Sequence, residues 1–250
     1  MRRFTTILIF TFLVMTTVAQ NMIRPIEELI DTTEPGWTIV QEWISKAKNN
    51  VEVLPCDPAN AKDALYKTQV TTRSPMGAII YSTGGLLIDS GWIRILGSGH
   101  PKLNRTLPEW NKGKSFKTYG EQPSFLLVAD DAAGGFFAVN GGALGSDAGK
   151  VYYLSPDTIE WESLELTYTE FLNFCFNGDL AEFYKDIRWN NWKTEVAKLD
   201  GNLAYSFFPY LWTKEGKDIN KVSRKAISVE ELYSFTLDMR RQLGLIKIGL

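Results

Sequence analysis

The sequence predicts an α+β protein with a central, mostly antiparallel sheet and helices at both ends. Three observations carry this. Apolar residues recur at three- and four-residue steps toward either end of the chain. Short β-rich runs separated by Gly and Asp turns fill the middle. The 250 residues, 44% hydrophobic with 8 Trp, 10 Tyr and 14 Phe, supply a large core and exclude a disordered or fibrous chain.

The chain opens on Met1-Arg2-Arg3 and an uncharged run from Phe4 to Val18, which reads as a secretory signal peptide over residues 1–19. Its apolar centre, Ile7 to Met15, is shorter than the about 20 residues of a spanning helix, and Thr17-Val18-Ala19 offers a cleavage site before Gln20. An uncleaved amino-terminal anchor is the competing reading. Export to the periplasm or the exterior is therefore expected, with no stable membrane span after removal of the leader. Loss of Arg2 and Arg3 moves the formal charge from −2 to −4. Such a chain has no basic surface for counterion release, so no nucleic-acid partner is expected.

After Gln20 a short helix is expected around Ile26 to Ile30. Pro35-Gly36 breaks it, and Trp37, Val40, Trp43, Ile44 and Ala47 form the stripe of the next. Val51 to Leu54 is a strand. Asp57 caps and Pro58 opens a helix through about Tyr66, and Ser74-Pro75 repeats that start signal. Met76 to Ser82 fits either helix or strand. Leu86 to Asp89 and Trp92 to Leu96 read as a hairpin about Ser90-Gly91, and Gly97 to Gln122 as a long polar surface loop. Ser124 to Ala129, Phe136 to Val139, Val151 to Leu154 and Ile159 to Leu164 continue as a meander.

Thr167-Tyr168-Thr169-Glu170 is a capping box for a helix that Gly178 closes. Asp179 restarts a helix to about Trp189, and Trp192 to Leu199 adds a turn or two. A strand pair is expected around Ala204 to Trp212, then a second capping box at Ser228 to Glu231. The final helix should bury Leu232, Phe235, Met239 and Leu243 and end at Gly244. Residues 20–250 are read as one domain, with 179–250 as an elaboration.

Two stretches, Trp92 to Pro101 and Leu107 to Asn111, precede Leu126 to Gly142, Gly149 to Glu162 and Phe207 to Trp212. Together they resemble the bacterial domain-of-unknown-function family 2625. More remotely, the order of a Gly-Gly, a strand, an Asp-rich glycine hairpin, an aromatic strand and a helix like Tyr168 to Leu172 is similar to the SUKH superfamily, the Smi-Knr and Syd type. The resemblance implies a protein-binding fold with an unknown protein partner, immunity-like in some members, and carries over no catalytic residue. The candidate binding residues, all within the stretches that carry it, are Trp92, His100, Trp110, Asp130, Asp131 and Asn140.

Chemistry that needs several cooperating groups is hard to assemble from these residues. Asp130-Asp131 could act as paired carboxylates or hard-cation ligands, yet adjacent strand residues face opposite sides, and Asp with the following Gly134-Gly135 supplies tight-turn backbone. One His and two Cys exclude a zinc site that needs three or more such ligands unless it uses all three together, and no metal or cofactor is expected. The glycines of 134–149 lack a phosphate-loop context. His100 has only Ser98 as a close serine. A weaker alternative is an envelope hydrolase using Asp130, Asp131, Asp157 or Glu160, or a glycan binder using exposed members of the aromatic group Trp189, Trp192, Tyr205, Phe207, Phe208, Tyr210 and Trp212. Export permits a Cys56–Cys175 disulfide, while a small buried thiol is the plainer reading of Cys175.

Overall fold

The structure is a computed structural model that describes residues 23–246. The leader read at residues 1–19 lies outside the described residues.

The amino-terminal part is helical: α1 (Ile26–Leu29), α2 (Gly36–Ser45), α3 (Pro58–Thr68) and α4 (Pro75–Ser82), with β1 (Val51–Leu54) between α2 and α3. Local chemistry starts two of these helices. The Asp57 carboxylate accepts from Ala59 N and Asn60 N, and the Ser74 hydroxyl accepts from Gly77 N, each followed by a proline that has no amide hydrogen to satisfy. Met76 to Ser82 is thus helix, because the Ser74 cap and Pro75 set its first turn.

Strands β2 (Gly85–Ile88) and β3 (Ile93–Leu96) form the expected hairpin, with left-handed backbone at Asp89, Ser90 and Gly91. They join β4 (Phe125–Asp131), β5 (Phe136–Asn140), β6 (Lys150–Leu154) and β7 (Trp161–Thr167). Together with β1 these make a seven-stranded sheet in simple chain order, every neighbouring pair antiparallel. The β2–β3, β4–β5, β5–β6 and β6–β7 connections are short, which is why their glycine and aspartate turns are legible, whereas α3 and α4 lie between β1 and β2 and α5 lies between β3 and β4. The core strands are covered on both faces. On β5, Phe136 meets Tyr233 at 4.9 Å on one side and Phe137 meets Phe171 at 4.9 Å on the other.

The segment 97–122 departs from the expected surface loop. It carries α5 (Leu107–Asn111), and Leu103, Leu107, Pro108, Trp110 and Asn111 are buried. The cause is internal bonding by residues that look solvent-facing in sequence. Thr106 caps α5, and the Asn111 side chain donates to Leu127 O at 2.8 Å and accepts from Leu127 N at 2.8 Å, which ties α5 to β4.

Thr167 and Glu170 form the reciprocal capping box of α6 (Tyr168–Asn177), and Gly178 ends it. The helix expected over 179–189 is only α7 (Leu180–Phe183); Ile187 N and Arg188 N both bond to Tyr184 O, tightening the chain so that Tyr184, Ile187 and Trp189 all enter the core. Then follow α8 (Trp192–Val196), β8 (Leu203–Phe208), β9 (Ser223–Ser228) and α9 (Val229–Gln242). The strand pair is β8 with β9, not a pair within 204–212. β8 stops before Pro209, which has no N–H for a ladder. At α9 Ser228 accepts from Glu231 N. Its buried face is Val229, Leu232, Tyr233, Thr236 and Arg240, rotated from the expected stripe, with Leu243 55% exposed. The rotation follows Arg240, whose guanidinium is pulled inward to donate to Ile159 O, and Tyr233, which fills space beside Phe136. Cys56 and Cys175 are both free thiols, and Cys175 is buried.

Candidate functional site

Register brings the first charged cluster together. Arg94 on β3 lies opposite Asp130 on β4. Its Nη2 is 2.5 Å from Asp130 Oδ1, and Arg105 Nη1 is 2.5 Å from Oδ2. Arg94 also donates to Asp131 O at 3.0 Å and Arg105 to Gly201 O at 2.9 Å. Arg94 and Asp130 are buried, so this two-arginine carboxylate cluster pins the sheet to the carboxy-terminal segment.

Asp131 points to the other face, as strand alternation requires. Its Oδ1 accepts from Ala133 N and Gly135 N, both at 2.9 Å, which shapes the β4–β5 turn. Its Oδ2 accepts from the Tyr153 hydroxyl at 2.7 Å and the Tyr184 hydroxyl at 3.3 Å. Burial pushes the Asp131 carboxyl above its ordinary range, opposed by Tyr153, the Gly135 amide and Arg94. Burial likewise pushes the Tyr153 and Tyr184 hydroxyls well up. Every acceptor position of Asp131 is used inside the protein, which gives it a positioning role at the centre of the fold.

The other candidates lie apart from this pair. Trp92 is buried against Tyr184, Trp189 and Trp192, with the Arg188 guanidinium 4.7 Å from its ring. Trp110 lies between the Arg105 and Lys114 cations, at 4.7 Å and 4.2 Å. Asn140 is buried; its amide donates to Gly145 O and its oxygen accepts from Gly142 N and Leu144 N, holding the β5–β6 loop. His100 is half-buried and accepts from Lys102 N at 3.1 Å; it lines an open cavity that Cys56 also lines. The Ser98 hydroxyl is spent on Thr83 O, so it does not serve His100.

The hydrolase carboxylates do not gather. Asp130 and Asp131 are enclosed on opposite faces, Asp157 accepts from the Ser155 hydroxyl, and Glu160 is exposed. None of the four lines the larger cavities. Among the described residues no group of three or more His, Cys, Asp or Glu is placed to hold a metal, and no helix is long and apolar enough to cross a membrane.

Of the aromatic group, Trp189 and Phe207 are buried, while Phe208 is 66% exposed. Beside it, Tyr210 and Trp212 are half-buried and stacked at 4.5 Å with an interplanar angle of 6°, and Phe235 of α9 lies 5.4 Å from Tyr210. Phe208, Tyr210 and Phe235 line a groove of about 510 Å³ between β8, β9 and α9 whose charged residues are Arg224, Lys225, Glu231 and Asp238. The adjacent hollow takes in Trp212 and Leu232.

The family described as "Protein of unknown function DUF2625" matches residues 26–232. The chain belongs to the DUF2625 family. It is 45% identical over 217 residues to "Putative uncharacterized protein YbfG" of Escherichia coli (strain K12), across 87% of this chain and 97% of that protein. It is 44% identical over 210 residues to an "Uncharacterized protein" of Haemophilus influenzae (strain ATCC 51907 / DSM 11121 / KW20 / Rd), across 84% of this chain and 92% of that one. No solved structure matches it. The DUF2625 match takes in the whole seven-stranded sheet, the Arg94–Asp130–Arg105 cluster and the aromatic run of 207–212, and it ends inside α9.

Sequence reasoning chose Asp130 and Asp131 but not the partners that define them, Arg94, Arg105, Tyr153 and Tyr184. One signal was present: an arginine inside the apolar strand Trp92 to Leu96 calls for a buried carboxylate nearby.

Proposed function

We propose that this is an exported, non-catalytic protein-binding module of SUKH-like type whose contact face is the β8–β9–α9 groove. One observation carries the reading. Among the described residues the large aromatic side chain most open to solvent, Phe208, sits beside half-open Tyr210 and Phe235, while Asp130 and Asp131 are consumed inside the fold. Aromatic side chains ringed by charges of both signs are the usual anchors of a protein contact. The remote SUKH resemblance points to the same class. An immunity-like role then requires a toxin that acts in the envelope, given the export expected from residues 1–19.

The test is affinity capture with the chain from Gln20 to Leu250, from lysates and envelope fractions of its own organism, beside a Phe208→Asp variant. Phe208 is the right position because its side chain is exposed, whereas a charge at Asp131 would test folding instead. A saturable protein partner lost in Phe208→Asp supports the reading. Amino-terminal sequencing of the periplasmic or secreted protein tests export, and a start at Gln20 supports it. Absence of any partner that distinguishes parent from variant, with both chains folded, overturns it. The flat Tyr210–Trp212 stack favours a second reading, a glycan-binding face, and a glycan array run on the same two proteins decides between them.

A further inference from the structure

Two arginines among the described residues are buried, and their neutralisation differs. Arg94 has Asp130 at 2.5 Å. Arg240 on α9, only 8% exposed, has no carboxylate within ion-pair distance among the described residues. Its Nη1 donates to the Ile159 carbonyl and its Nε has no partner. Glu160 acts on it only through space. A guanidinium stays charged at any ordinary pH, and removing one from water without a counter-charge is unfavourable. The fold keeps this cation at the wall of a cavity.

That cavity, about 510 Å³, lies on the opposite flank of α9 from the aromatic groove. Its walls include Phe125, Trp161, Tyr233 and Leu237, with the Phe125 and Trp161 rings 6.4 Å apart. The other charges there are already paired: Lys114 with Glu230 at 2.8 Å, and Arg241 with Asp238. Among the described residues the geometry therefore offers one cation with no ion-pair partner, beside a wall that mixes polar side chains with aromatic and aliphatic ones, in a volume suited to a small molecule.

We infer that this cavity binds an organic carboxylate with a compact apolar body. The carboxylate supplies the missing counter-charge of Arg240, which its planar guanidinium receives through two parallel N–H donors. The apolar body lies against Trp161 and Leu237. This site is separate from the β8–β9–α9 groove and stands if that face proves inactive.

The experiment is isothermal titration of the folded chain with 3-phenylpropionate, its neutral analogue 3-phenylpropanamide, and a short peptide ending in phenylalanine with either a free or an amidated carboxy terminus. The expected result is saturable binding of at least one carboxylate, roughly ten-fold or more tighter than its amide. Arg240→Gln should weaken it by a similar factor, and Leu237→Trp, which keeps the guanidinium and crowds the apolar wall beside Trp161, should weaken it several-fold as well. Binding of the free acid alone identifies a small-molecule ligand; binding of the free-ended peptide alone identifies a chain terminus. Equal binding of acid and amide, carboxylate affinity unchanged by Leu237→Trp, or no binding of either carboxylate at millimolar concentration overturns the inference. Leu237→Trp keeps the test decisive should Arg240→Gln fail to fold.

Discussion

The Tyr153 hydroxyl donates to Asp131 at 2.7 Å across the β4–β6 side of the sheet, and the Tyr184 hydroxyl reaches the same oxygen from beyond α7. A carboxylate with two tyrosines and two backbone amides around it joins the central turn to the carboxy-terminal segment. Asp131→Asn keeps an oxygen for Ala133 N and Gly135 N and offers an amide to Tyr153, so its cost should stay below about 2 kcal/mol, whereas Asp131→Ala orphans all four donors and should cost about 3 kcal/mol or more. The sign with pH is fixed by burial. The folded carboxyl titrates above its ordinary 3.8, so its ionisation costs stability as pH rises from there through the folded value. Asp131→Asn should lack that loss. Urea denaturation of the three proteins from pH 3.5 upward measures both effects, and a parent curve no steeper than that of the Asn variant would contradict the burial argument.

Removing Arg94 leaves Asp130 in the interior with Arg105 alone. Arg94→Met should cost about 3–5 kcal/mol in chemical denaturation, and adding Asp130→Asn should recover part of it, because the penalty lies in the uncompensated charge rather than in lost volume. A double variant no more stable than the single would show that packing, not charge, dominates.

At Gly77 two effects have opposite signs. Alanine is worth about 1 kcal/mol over glycine inside a helix. A Cβ there, however, would stand 2.0 Å from the Thr71 carbonyl oxygen, a backbone atom that cannot rotate away. Gly77→Ala should therefore destabilise by about 2 kcal/mol or more and lower the Tm. A raised Tm would mean that α4 does not approach the 71–72 segment this closely.

Glu195 and Arg224 join α8 to β9 through two hydrogen bonds, at 2.6 and 2.9 Å. The Arg224 bonds hold the Glu195 carboxyl below its ordinary 4.5. Its contribution is fully present above pH 4.5 and disappears as the pH falls through the lower folded value. Because the pair is partly solvated, the size should be about 1 kcal/mol or less. Glu195→Gln should flatten the stability profile only below pH 4.5, as read by denaturation at fixed ionic strength.

Local chemistry was legible in sequence wherever its range was a few residues. Asp57 with Pro58, Ser74 with Pro75, and Thr167 with Glu170 each satisfy orphan amides within one turn, so they mark α3, α4 and α6 without reference to the rest of the chain. The meander was equally legible, since its strands pair in chain order and its turns carry Gly and Asp. The opposite facing of Asp130 and Asp131 followed from strand alternation alone.

What the tertiary structure decided is partner choice over long separations. Asn111 reads as a loop residue until Leu127 meets it, and Ser223 to Ser228 reads as a strand only once β8 is beside it. Whether an aromatic is core or surface depends on what lies opposite: Phe207 packs on Trp189 while its neighbour Phe208 faces outward. Arg240 looks like an ordinary basic residue near a helix end, yet α9 turns it into the protein with no carboxylate of the described residues within ion-pair distance. Caps and turns are settled by contacts a few residues apart, which the amino-acid order itself specifies. Burial and charge pairing are settled by neighbours brought together from tens of residues away, and only the folded packing determines which those are.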